Sequence, residues 1–290
     1  MAAVAVLSWS TVATAFKVAL SYLSVFEMLF IATLTAFCIF VVLMTVDKSW
    51  GEIRKLSRKN VALTALMGLL NPVAYYMVLF TSYDYLPAQV AQPLNYFWPI
   101  ALLILLALFN HQPIPRKKYL GMFVSLAGLA MISLGGKNIS GTISPIGLGM
   151  AFSSAILWAV YWMFNDRLKN TMSESVSLFM CFLFGTIYML VASIFVPVHI
   201  DSLAALGAGM YVGAFEIGIP FICFGIAIRT TNNPALINQM CYLSPFMSLF
   251  FISLVLHEPI QPTTIFGLVL IIAGIIYNQY FATRRQLSYK

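Results

Sequence analysis

The sequence predicts an all-helical polytopic membrane protein: ten spans, arranged as two inverted five-helix repeats around a central cavity. Three observations predict it. Hydrophobic residues make up 61% of the 290-residue chain and charged residues only 9%, about a third of the charged share that clothes a soluble domain. The apolar residues run continuously for about 20 positions at a time, enough to cross roughly 30 Å of hydrocarbon, and lack the alternation of a transmembrane barrel. The two halves of the chain also share a pattern of Pro, His and Gly at a fixed spacing.

Polar and Pro/Gly-marked breaks place the spans at 3–20, 25–46, 61–83, 86–109, 119–135, 145–165, 175–196, 204–228, 235–256 and 263–281. The first run starts at once, carries no basic leader and extends to Leu20, so it is expected to be a span and not a cleaved signal. With the N-terminus in the cytoplasm, 14 of the 16 Lys and Arg residues fall on inside loops or the C-terminal tail. Lys137 alone falls outside and Lys17 lies within a span. The rule that basic loops stay inside therefore expects a multi-pass protein of the inner or plasma membrane with both termini cytoplasmic. The net charge of +7 reflects this loop bias, and no nucleic-acid partner is expected. Cys38, Cys181, Cys223 and Cys241 lie in apolar runs without metal or CxxC spacing and read as small packed thiols.

At an offset of 146, Pro99, Leu103, Leu108, His111, Pro113, Ile114, Gly121, Ala127 and Gly128 meet identical residues at Pro245 through Gly274. Shifting by one more pairs Pro87, Ala88 and Gln92 with Pro234, Ala235 and Gln239, and Trp9 and Trp158 open the two halves in corresponding places. Five spans per half is an odd number, so the second half enters the membrane upside down. Inverted repeats are how many secondary transporters build two interchangeable states around one site. The expected units are 1–136 and 144–282.

The segments LSWSTVATAFKVAL in the first span and YDYLPAQVAQPLNYFWPI in the fourth, with the Pro…Gly…Gly ending of each half, resemble the drug/metabolite transporter superfamily, specifically its ten-span members with two EamA-type repeats. NYFWP, Asn95 to Pro99, is similar to the same stretch of that superfamily's aromatic amino-acid exporters, the YddG-like members. One departure is that many EamA repeats carry an Arg part-way into the second span, whereas Glu27 to Val46 contains none. The resemblance implies a basket of helices around a cavity lined mainly by spans one, three, four, six, eight and nine.

Inside the spans, the candidates are few. Glu216 sits midway along span eight in YVGAFEIGIPF. A carboxylate at bilayer depth is costly and normally faces a cavity or a partner. It can bind a substrate amine or carry a coupled proton, and the plainer alternative is a hydrogen bond to a neighbouring helix. Gln89, Gln92, Tyr96 and Pro99 are spaced to share one helical face, with Asn95 beside it. Span nine repeats the device with Asn238 or Gln239, Tyr242 and Pro245. These amides either line a shared polar cavity or bind one another across helices. Pro72, Pro99, Pro220 and Pro245 are expected to kink their helices and are candidate hinges. Trp9, Tyr75, Tyr76, Trp98, Trp158, Tyr161, Trp162 and Tyr242 lie in the spans expected near the cavity, where aromatic faces can stack on a flat or cationic substrate. Asn71 is a further candidate for it.

The expected substrate-binding set is thus Glu216, Asn71, Tyr75, Gln92, Tyr96, Trp158, Trp162, Gln239 and Tyr242. Lys17 and Glu27 approach the same surface across a short turn and form a candidate ion pair. His111 and His257 lie at span ends, and HEPIQ lacks the second His of a HExxH zinc site, so no metal is expected. The GxxxG of Gly209 and Gly213 is expected to serve packing within the bundle, leaving a monomer or a weak homodimer. Asn138 opens a glycosylation sequon on the expected outer side.

No Walker A motif or other cofactor motif is present. The expected function is a secondary transporter, directed outward, of small organic metabolites, with amino acids and among them aromatic ones as first candidates. The partners expected are that small molecule and the lipid bilayer. Alternatives are import of another metabolite or vitamin, proton-coupled efflux of cationic drugs, and a membrane scaffold or sensor. An intramembrane enzyme would need a paired catalytic set, and only one acid lies centrally.

Overall fold

The computed structural model of the chain describes residues 1–109, 114, 116–135, 143–168, 171–230 and 240–287, and every regular element among them is helical. Eight helices are long and apolar enough to cross a membrane: Ala2–Leu20, Val25–Val46, Arg58–Tyr85, Ala88–Phe109, Pro145–Asn165, Glu174–Ala192, Leu203–Ala227 and Pro262–Tyr280. Arg116–Gly135 and the shorter Leu243–Leu256 complete ten. These follow the expected spans to within a few residues; of the ninth, residues 231–239 lie outside the described set, and after a turn at 241–242 it runs from Leu243. One element was not expected, a single turn at Trp50–Ile53 in the longest loop, whose Trp50 ring packs edge-on against Phe179 at 5.2 Å.

Serine side chains start the spans at matching places in the two halves. Ser24 and Ser173 cap spans two and seven, and Ser57 and Ser202 cap spans three and eight. Each hydroxyl accepts one backbone N–H left over in the first turn, worth about 1 kcal/mol. Ser24 belongs to a full capping box, its own N–H donating to Glu27 at 2.9 Å.

Hydrogen bonds between loops assign the helix ends to two faces. Ser175 donates to Asp47 and the Ser173 N–H to Glu52 at 3.3 Å. These join the basic loop 47–57 to the start of span seven, on what is here the basic face. On the opposite face the His199 N–H donates to Glu27 at 2.9 Å, and Glu258 reaches the start of span four. This is the alternation that ten successive crossings require.

The two halves interlock by a two-fold exchange. Span one packs on span nine as span six packs on span four, and span two packs on span eight as span seven packs on span three. Spans five and ten cross closely through small residues: an added Cβ on Gly121 would strike the carbonyl of Gly274, and one on Gly128 that of Gly267. Each glycine thus faces the repeat equivalent of the other glycine on its own helix, and Ser125, nearest the axis, donates to the carbonyl of its own equivalent Ile271 at 3.0 Å. Backbones can approach so closely only where side chains are absent. The GxxxG of Gly209 and Gly213 is likewise used within the bundle, against Ile31, Ala32 and Thr35 of span two. The cysteines form no disulfide among the described residues, and Cys38 is on the exposed surface of span two.

All four candidate prolines sit where a helix is interrupted. Spans three and eight each contain a widened π-type turn, Leu69–Ala74 and Gly213–Gly218. Pro72 lies within the first; Pro220 follows the second in the opening turn of the next helical stretch. Asn71 adopts φ −142°, ψ 115°, the extended conformation that the ring of a following proline imposes. Span four breaks between Asn95 and Trp98, and Pro99 stands in the first turn beyond. Span nine opens after a turn at 241–242 with Pro245 in its first turn. A helix tolerates proline in its first turn, where the missing N–H has no partner to lose.

Candidate functional site

The interruptions bring Glu216 to the centre of the molecule. It lies in the π-type turn of span eight and is 8% exposed. Such turns release a backbone carbonyl from its helical partner. Here the Trp9 indole of span one donates to the Glu216 carbonyl oxygen at 3.1 Å. From span three the Tyr76 hydroxyl donates to the carboxylate Oε1 at 3.2 Å. Both groups that hold this second-half residue therefore come from the first half. Glu216 borders a chamber of about 480 Å³ between the halves.

Aromatic rings make most of the chamber wall. Trp158 is the hub: Tyr75 stacks on it at 4.6 Å, Tyr161 at 5.3 Å, Trp162 meets it edge-on at 5.9 Å and Phe221 tilts against it at 6.0 Å. Trp98 stacks on Trp162 at 6.3 Å, and Trp9 meets Phe224 edge-on at 5.5 Å. Tyr75 is fixed by a polar chain: its hydroxyl donates to Asn95 at 3.2 Å, and the Asn95 amide donates to Ser154 at 2.8 Å. Two polar atoms of the lining, Gln92 Oε1 and Trp162 Nε1, are buried with no hydrogen-bond partner among the described residues. An orphaned buried group costs about 1–3 kcal/mol. A cation over a ring face gains roughly 0.5–2 kcal/mol, so the wall suits a flat or cationic guest.

At the opposite face a polar seal joins the start of span four to the segment before span ten. Glu258 accepts from the backbone N–H groups of Ala88 at 3.2 Å and Gln89 at 3.4 Å, capping the start of span four with a carboxylate from the other half. Gln89 completes the joint. Its Nε2 donates to the Pro259 carbonyl at 3.0 Å, and its Oε1 accepts from the Gln261 N–H at 3.1 Å and the Thr264 hydroxyl at 3.3 Å. Lys17 lies within the electrostatic reach of Glu258 and Asp84 at this face. Toward the basic face, by contrast, the chamber wall continues to Asn165 and Glu174, at the adjoining ends of spans six and seven.

This helical basket can be set beside known proteins. The model of the EamA-like transporter family matches twice, at residues 1–134 and 145–278. The chain belongs to the EamA-like transporter family. An uncharacterized transporter of Bacillus subtilis (strain 168), YvbV, is 25% identical over 217 residues, 71% of this chain and 68% of that protein. Another uncharacterized transporter, from Clostridium kluyveri, is 26% identical over 166 residues, 54% of this chain and 52% of that one. A solved crystal structure shares the fold, with a TM-score of 0.70 at 18% identity over 98% of this chain and 96% of that one. A multi-pass membrane transporter is the activity these likenesses carry.

In this EamA transporter the sequence-predicted residues divide. Glu216, Tyr75, Gln92, Tyr96, Trp158, Trp162, Tyr242 and Pro99 all line the chamber, and Gln279 donates to the Tyr242 hydroxyl. Asn71 does not line it; fully buried, it lies behind the wall near Tyr161. Gln89 was expected on the cavity face with Gln92, but it stands in the first turn of span four, where Pro259, Gln261 and Thr264 take up its amide. The ion pair expected between Lys17 and Glu27 gives way to other contacts: Glu27 turns to its capping box and to His199, while Lys17 lies by Glu258 and Asp84. Gln239, Asn238, His111 and Asn138 lie outside the described residues. The expected walls, from spans one, three, four, six, eight and nine, are joined by the start of span seven and the end of span ten through Glu174 and Gln279. Phe221, Phe224 and the roles of Trp9 and Tyr76 escaped the sequence reading, although Trp9 and Tyr76 had been noted as aromatic neighbours.

Proposed function

We propose that the chain is a secondary transporter that exports small organic metabolites bearing an amino group, aromatic amino acids and their relatives first among them, by alternating access between its two halves. The observation that carries this reading is the aromatic chamber with its single central carboxylate, Glu216, held across the junction of the halves. Such a guest would rest its ring against Trp158 and its amino group near Glu216. The basic loops set the orientation, with both termini in the cytoplasm of a cell whose inner or plasma membrane holds the protein. The chamber is then sealed on the outer side and loads from the cytoplasm, as an exporter does. The unit is a monomer or a weak homodimer, each copy carrying one whole chamber. Pro72, Pro99, Pro220 and Pro245 mark the hinges, because interrupted helices absorb changes of backbone angle locally. Glu216 also carries the coupling proton: a carboxylate that takes either a proton or an ammonium group, and not both, links one flux to the other.

The test is counterflow of labelled tryptophan and phenylalanine and their amines into liposomes holding the purified protein. Saturable exchange above empty liposomes supports transport; its absence across this set overturns the assignment of cargo. For coupling, an imposed pH gradient is expected to drive uptake by the native protein and to lose its effect in Glu216→Gln. Undiminished pH-driven uptake in that variant removes Glu216 from the coupling.

A further inference from the structure

The two halves repeat one fold in opposite senses. If they were identical, exchanging their conformations would turn the inward-open state into the outward-open one at no cost in energy. A bias toward one side must therefore come from places where the repeats differ in residues. The outer seal is such a place. The first half supplies the N–H groups of Ala88 and Gln89 and the Gln89 amide. The second half answers with the Glu258 carboxylate, the Pro259 carbonyl, the Gln261 N–H and the Thr264 hydroxyl, in hydrogen bonds of 3.0 to 3.4 Å. The repeat offsets of 146 and 147 put Gln112, Pro115 and Leu236 where Glu258, Gln261 and Gln89 stand. Residue type alone forbids the same joint at the basic face. The Leu236 side chain has neither donor nor acceptor, Pro115 has no backbone N–H, and Gln112 brings a neutral amide in place of a carboxylate.

The helices differ in the same sense. Tyr75–Tyr85, the outer stretch of span three, packs on spans one, two and six. Its repeat equivalent at the basic face, Ile219–Thr230, packs outside its own span chiefly on span one among the described residues. On the sealed side Phe16 of the chamber wall tilts against Phe80 at 4.9 Å and meets Tyr83 edge-on at 5.0 Å. We propose that Gln89 and Glu258 form a one-sided latch: the seal holds the chamber open to the cytoplasm at rest, and the outward-open state is reached only by breaking it. Because the seal ties the start of span four to the second half, any motion that parts the halves at the outer face must break its hydrogen bonds. No equivalent joint forms at the other face to offset that loss. The inference rests on the transporter reading above and adds to it the positioning residues that set the resting side.

Opening is read by labelling with a membrane-impermeant maleimide in vesicles of known sidedness, in protein whose own cysteines are replaced by alanine. One reporter is Leu79→Cys, in the chamber wall on the sealed side, and the other is Asn165→Cys, at the basic end of the wall. With the seal intact, Asn165→Cys is expected to react from the cytoplasmic face and Leu79→Cys to stay protected from the outer one. Gln89→Leu with Glu258→Gln copies into the outer face the residue types of its repeat equivalent. This pair is expected to speed outer labelling of Leu79→Cys at least about tenfold, since three lost hydrogen bonds and a lost charge outweigh one power of ten. In the same protein, labelling of Asn165→Cys from the cytoplasm is expected to slow. That second change separates a latch from plain packing: a merely loosened outer face would react faster and leave the inner reporter unchanged, a result that overturns the inference. So does outer labelling of Leu79→Cys that is as fast with the seal intact as without it. Glu258→Gln alone keeps the bonds of Gln89 and is expected to give the same two changes, smaller, so a poorly folding double variant does not blunt the test. Labelling needs no substrate. Reciprocal labelling in a protein that exchanges nothing would support the latch and sink the assigned cargo; exchange without reciprocal labelling would sink the latch alone.

Discussion

Gln89 and Gln92 stand three residues apart on the same short helix, and the protein treats them oppositely. Gln89 is fully buried with its amide saturated on both ends by Pro259, Gln261 and Thr264. Gln92 is 5% exposed and its oxygen has no partner among the described residues. The first is a joint between the halves at the opposite face; the second borders the chamber. An amide at membrane depth is therefore not informative by itself. What separates structural glue from a binding group is whether its hydrogen bonds are already spent.

That contrast yields a graded series of tests. The largest effect belongs to Gln89→Ala, which removes one donated and two accepted hydrogen bonds. At about 1 kcal/mol for each bond, the loss is about 3 kcal/mol, visible as a drop in melting temperature in detergent. A variant that melts like the native protein would erase the distinction. Next is Glu258→Gln, which weakens the cap on span four and is expected to cost about 1 kcal/mol. The same melting assay checks it, and no loss would mean that the seal rests on Gln89 alone. Gln92→Ala should reverse the pattern. Removing an orphaned acceptor leaves stability within roughly 0.5 kcal/mol of native, while the half-saturating substrate concentration rises about fivefold. A large fall in melting temperature with unchanged kinetics would make Gln92 glue as well. The smallest effect is expected from Trp162→Phe, which keeps a ring and deletes the unpartnered N–H. It should raise half-saturation by about twofold at unchanged stability, and native kinetics would assign the indole N–H to packing.

The same pair shows what was legible in the sequence. Nothing local separates Gln89 from Gln92, because the partners that decide their fates lie about 170 residues away. The spans were legible because each is a continuous apolar run punctuated by serine, proline and charge. The inverted arrangement was legible because Gly121, Gly128, Gly267 and Gly274 must be small on both sides of one crossing. Glu27 carried a readable signal that pointed elsewhere than to Lys17: Ser24-Val-Phe-Glu27 has the spacing of a capping box, and that is its role. Glu216 was conspicuous as the only carboxylate at mid-span. Its holders were not, since Trp9 and Tyr76 reach it from 207 and 140 residues away, and the π-type turn that exposes its carbonyl has no residue signature of its own. Asn71 was conspicuous for the same reason as Glu216, being polar in an interrupted helix at the corresponding place, yet the turn there directs it behind the wall.

The central claim is that the chamber around Glu216 is where the substrate binds. The most direct measurement is exchange of labelled phenethylamine into liposomes by the native protein and by Glu216→Gln, with melting temperatures taken on the same preparations. The account predicts saturable exchange that falls by at least roughly tenfold in the variant at an unchanged melting temperature. Equal exchange by the two proteins would contradict it.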